Sequence, residues 1–61
     1  MWTELEVFNG IKEAADVLGT AYHRANAGVV GTKLSVSFSD ESGVLLGRYL
    51  VTKSGTVTPA D

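Results

Sequence analysis

The chain has no cysteine, one proline and one histidine among its 61 residues. Without cysteine there is no disulfide framework, no thiolate metal site and no thiol nucleophile. A single histidine then excludes an ordinary structural zinc site, which takes four nitrogen or sulfur ligands. No catalytic residue, metal or other cofactor is therefore expected. No apolar run approaches the ~18–20 residues of a membrane span, and no basic-then-apolar leader is visible. A chain this short buries only ~60% of its unfolded surface. That leaves little room for both a core and a walled pocket. The expectation is one small cytoplasmic domain, residues 1–61, that binds rather than catalyses. Neither a membrane nor a small-molecule substrate is expected among its partners.

Acid is also missing from two long stretches, although the net charge is −2. Residues 1–16 carry Glu4, Glu6, Glu13 and Asp16 against Lys12 alone. Residues 17–39 then hold only Arg24 and Lys33, and residues 42–60 only Arg48 and Lys53. Asp40 and Glu41 separate the two stretches, and Asp61 ends the chain. Such a distribution predicts one acidic and one mildly basic face.

What is present divides into a helical front and a stranded back. Thr3 followed by Glu6 has the spacing of a capping box, with Trp2 and Val7 placed as a hydrophobic staple. Asn9-Gly10 is a turn dipeptide, so a first short helix is expected over residues 4–8. Ile11, Ala14, Ala15 and Leu18 form one apolar stripe, predicting a second helix over 11–18. Gly19 suits its left-handed end. The alanine-rich segment from Ala21 to Ala27 reads as a third helix. Leu34, Val36 and Phe38 alternate with Ser35, Ser37 and Ser39, the pattern of a strand wet on one side. Asp40-Glu41-Ser42-Gly43 is a hairpin loop, and Val44–Thr52 the return strand. Gly47 suggests a bulge in that strand. Lys53-Ser54-Gly55 is a turn before a short third strand at Thr56–Thr58, ended by Pro59. The expected class is α+β: three short helices, then a β-hairpin with this optional extra strand.

One constellation carries functional information. Ala15 is small where a second helix would cross, Leu18 is an anchor, Gly19 allows a sharp turn, and Ala25 follows six residues later. This is the spacing of a helix-turn-helix, whose second helix enters the DNA major groove. Glu13-Ala14-Ala15-Asp16-Val17-Leu18-Gly19 resembles the helix-turn-helix core common in phage and bacterial regulators. Gly31, Lys33, Leu34, Val36, Phe38 and Gly43 then follow in the order found in lambda-type Cro repressors. The resemblance spans residues 8–51 and departs from the family at Thr20 and Gly28. It implies a Cro-like fold and a homodimeric, sequence-specific repressor on operator DNA, in a bacterial host's cytoplasm if phage-encoded.

The resemblance places Thr20, Tyr22, His23, Arg24 and Asn26 on the recognition helix. Arg pairs bidentately with a guanine edge and Asn with an adenine edge. Lys12 and Lys33 would contact phosphate. The bland alternative for these side chains is a solvated helix face. The return strand is apolar on both faces, so Leu45, Tyr49 and Val51 are expected to form the dimer interface. A second reading is a small dimeric phage or bacterial protein that inhibits a host protein. Its acidic first 16 residues would then mimic nucleic acid.

Overall fold

The computed structural model describes residues 1–60; Asp61, the last acid of the charge pattern, lies outside the described residues. Thr3 opens a single helix, α1 (Glu4–Leu18). The expected capping box is formed. Glu6 N–H donates to Thr3 Oγ1 at 3.2 Å, and Thr3 N–H donates to Glu6 Oε1 at 2.9 Å. Val7, Ile11, Ala14 and Leu18 share one side of α1 and pack on the core. Gly19 ends the helix in the left-handed region (φ 70°), donating its N–H to the Ala15 carbonyl at 3.0 Å.

Four strands follow: β1 (Arg24–Val30), β2 (Lys33–Ser39), β3 (Leu45–Val51) and β4 (Val57–Pro59). They form one antiparallel sheet in the order β1-β2-β3-β4, each strand beside its sequence neighbour. Val30 and Lys33 pair across the two-residue loop Gly31-Thr32, with Gly31 at φ 63°. Asp40 Oδ1 accepts from the Ser42 and Val44 amides at 2.9 and 3.0 Å, which fixes the next turn.

These elements overturn the expectation of three helices followed by a hairpin. Asn9-Gly10 does not stop the first helix, and the two short helices are one. A Cβ built on buried Gly10 would lie 2.7 Å from Leu34 Cδ2. The glycine is there because helix and sheet approach closely, not because the chain turns. The third helix is absent, since residues 24–30 pair along their whole length with β2. No helix-turn-helix exists among the described residues, and the Cro-like architecture falls with it.

The core lies between α1 and the sheet. Ala14, Leu34, Val36, Phe38 and Val51 are buried, with Trp2, Leu18, Ala25, Tyr49 and Val57 packed around them. The strand pattern of residues 34–38 holds as expected. The register shift comes between Phe38 and Ser39: Phe38 faces Gly47 while Ser39 faces Leu45. Leu46 is therefore the extra residue, one position before the glycine that signalled the bulge.

Lys53 ties the last turn to the front of α1. Its Nζ donates to the Met1 carbonyl, lies 3.4 Å from Glu6 Oε1 and sits 5.4 Å from the Trp2 ring centre. The Thr3 backbone amide, reinforced by Lys53, holds the Glu6 carboxyl below the usual carboxylate range. A carboxylate with a depressed folded pKa stabilises above its unfolded pKa. That contribution is lost as pH falls through the folded value. Thermal melts should therefore drop on acidification through this range, and Glu6→Gln should lower the neutral-pH midpoint while flattening the drop.

Candidate functional site

The two faces of the sheet are chemically distinct. Side chains alternate along each strand, and the buried residues Leu34, Val36 and Phe38 assign one face to α1. Across the register, Ala25, Ala27 and Val29 of β1, and Gly47, Tyr49 and Val51 of β3, belong to the same face. The other face has no helix over it. It presents Arg24, Asn26, Gly28 and Val30 from β1, and Lys33, Ser35, Ser37 and Ser39 from β2. Arg48 and Leu50 of β3 and Thr58 of β4 complete it.

Four cross-strand rows organise this open face, the last of them Val30 with Lys33. Asn26, Ser37 and Arg48 are direct neighbours across β1, β2 and β3. Arg24 pairs with Ser39 one row away, and Gly28, Ser35, Leu50 and Thr58 form the row on the other side. By strand spacing and residue rise, Arg24 and Arg48 stand about 12 Å apart. Among the described residues the only ion pair is Lys53–Glu6, so Arg24, Lys33 and Arg48 are unpaired. No acidic residue lies on the strands of this face. Glu4, Glu6, Glu13 and Asp16 are all on α1, across the sheet.

The sequence-predicted site residues divide accordingly. Arg24, Asn26 and Lys33 come together on the open face, but on strands rather than on a recognition helix. Thr20, Tyr22 and His23 lie in the connection between α1 and β1. Tyr22 packs its ring against Phe38, tilted by 51° with centres 4.7 Å apart, and the His23 amide donates to the Ser39 carbonyl at 2.8 Å. Lys12 is on α1 and so does not join them. Arg48 belongs to the face and was missed. Its signal is its parity with Leu50, which marks it as facing away from Tyr49 and Val51.

The three residues assigned to a dimer interface do not form one surface. Val51 is buried opposite Leu34, and Tyr49 is half-buried with its ring 6.2 Å from that of Phe38. Leu45 is exposed beside the bulge, opposite Ser39. The helix covers the face of β3 that carries Tyr49 and Val51, so no partner is needed there. Among the described residues no three His, Cys, Asp or Glu side chains gather as a metal-binding group. No described helix is long and apolar enough to cross a membrane. Comparison with protein-family models, curated proteins and solved structures gives no match.

Proposed function

We propose that this chain is a DNA-binding protein whose open sheet face, rather than a helix, meets the duplex. The observation that carries this reading is the segregation of charge. Arg24, Lys33 and Arg48 stand unpaired among serines and an asparagine on a face without acid, while four acids lie on α1. Arginine and lysine there hold phosphate, and hydroxyl and amide groups add hydrogen bonds to the backbone. Three strand spacings make the face ~14 Å wide, against ~12 Å for the major groove. The sheet therefore straddles the backbone instead of entering the groove. Contacts of that kind position a protein but do not read sequence. A repressor built this way acts by occlusion with weak sequence preference.

The host-protein inhibitor reading draws on the acids of α1, and these are not a free stripe. Glu6 is held by Thr3 and Lys53. Glu13 Oε2 lies 2.9 Å from the position a Cβ on Gly55 would take, so it is packed against the last turn.

Duplex binding measured against salt is the test. Three phosphate contacts give a slope of log affinity on log salt near −3 per chain. Arg48→Ala should weaken binding at low salt and reduce the slope by about one. Lys12→Ala should leave both unchanged. Absence of duplex binding at 20 mM salt (a condition of roughly 21 Å screening length) would overturn the proposal.

A further inference from the structure

The sheet has two edges, and only one is protected. β4 is three residues long and carries Pro59, which has no N–H to offer a neighbouring strand. β1 is seven residues long, RANAGVV, with one charge, no proline and exposure along nearly all of it. Of the usual devices that blunt an edge strand it has only a charge, Arg24 at its first position.

The direction of each β1 amide follows from the ladder. Ala60 N–H donates to Arg48 carbonyl and Thr52 N–H to Thr56 carbonyl, so Arg48, Leu50 and Thr52 point their backbone at β4. Alternation then turns Gly47, Tyr49 and Val51 toward β2, and with them Leu34, Val36 and Phe38 toward β3. Lys33, Ser35, Ser37 and Ser39 consequently bond to Val30, Gly28, Asn26 and Arg24. Ala25, Ala27 and Val29 are left with N–H and C=O groups directed outward.

We infer that β1 is a self-pairing edge, joining a second copy of this chain antiparallel about a two-fold axis at Ala27. In that register Ala27 faces Ala27 of the partner, and each Ala25 faces a Val29. These are the outward-directed residues, so each pair exchanges two backbone hydrogen bonds. On the open face Arg24 falls opposite Val30, whose apolar surface its stem can cover. No two like charges meet. The strand is thus complementary to itself over its full length.

The flank of α1 supports the same occupant. Glu6 and Glu13 lie on its β3–β4 side, beside Lys53 and Gly55. At 100° per residue, Phe8 falls on the opposite flank, toward β1, while Leu5 points away from the sheet. Phe8 is 60% and Val29 55% exposed on this face, and Val30 is 62% exposed on the open one. Leu5 and Phe8 also line a groove with Val7 and Ile11. Pairing covers Val29 and Phe8 on one face and Val30 on the other, together with the two strand backbones. Pairing also joins the two open faces into one surface, although the inference does not rest on what that surface binds.

Sedimentation equilibrium and amide exchange test it together. Wild type should sediment at twice the 6.4 kDa chain mass. The Ala25, Ala27 and Val29 amides should gain protection with rising concentration, while Asn26, Gly28 and Val30 are protected throughout. Ala27→Lys and Ala27→Glu each place like charges at the axis and should weaken dimerisation on the order of 100-fold. An equimolar mixture of the two should dimerise again, because only this register sets residue 27 against itself. Circular dichroism of each variant should show α1 unchanged. A monomeric wild type at ~100 μM, far above the Kd of a specific dimer, would overturn the inference. So would variants that stay dimeric alone, or a dimer in which the three outward amides remain unprotected.

Discussion

Phe38→Ala is expected to abolish cooperative folding at room temperature. Phe38 is fully buried, facing Gly47 on β3 and Ala25 on β1, with the rings of Tyr22 and Tyr49 at 4.7 and 6.2 Å. Truncating a buried Phe costs about 3–5 kcal/mol, and each lost aromatic pair adds roughly 0.5–1.5 kcal/mol. At ~0.05–0.15 kcal/mol per residue, the whole chain has only about 3–9 kcal/mol to lose. Ala25 and Gly47, the neighbours of Phe38 across both ladders, have no side chain that could swing into the cavity. Urea unfolding followed by near-ultraviolet dichroism should show a sharp transition in wild type and none in Phe38→Ala. A variant that retained a wild-type midpoint would mean that residue 38 is not at the centre of the core.

Gly10 gives the second large effect, with a sign that depends on its neighbour. Alanine in a helix interior is normally worth ~1 kcal/mol over glycine. Here its Cβ would meet Leu34 Cδ2 at 2.7 Å, with Val51 Cγ1 at 3.7 Å and the Trp2 ring at 3.9 Å behind it. Leu34 is itself buried, so its methyl has nowhere to go. Overpacking of this kind costs about 1–3 kcal/mol, enough to cancel or reverse the helical gain. Gly10→Val, which adds more volume and lacks alanine's propensity, should destabilise by about 3 kcal/mol. In a Leu34→Val background the obstruction is shortened, and Gly10→Ala should become stabilising. A double-mutant cycle measures that change of sign directly. Additivity of the two substitutions would show that the close approach does not constrain the helix.

The same glycine explains most of what the sequence concealed. Capping at Thr3, the end at Gly19, the alternation of residues 34–38 and the two later turns were all legible, because each depends on neighbours a few positions away. Asn9-Gly10 carries a local signal for a turn and a tertiary reason for being helical, and the tertiary reason wins. Residues 24–30 are harder still. Arg, Ala, Asn, Ala and Gly do not favour strands, and only Val29 and Val30 do. The segment is a strand because Gly31-Thr32 folds it back on β2, whose own pattern is unambiguous. With β1 misassigned, Arg24 and Asn26 were placed on a helix, although their membership of an acid-free surface was correctly inferred from the charge distribution. Arg48 is obscured for a related reason: the apolar residues around it on β3 dominate the strand's pattern, and the bulge at Leu46 breaks the alternation that would give the cation a face.

The central claim is that the open face of the sheet, not a helix, is the binding surface. Titrating short duplex DNA into isotopically labelled protein at low salt, and following every backbone amide, tests it most directly. Shifts are expected to concentrate on Arg24, Asn26, Ser35, Ser37 and Arg48, scaling with occupancy and reversed by salt, with the amides of Lys12 to Asp16 unmoved. Shifts confined to α1, or a spectrum that does not respond to duplex at all, would contradict it.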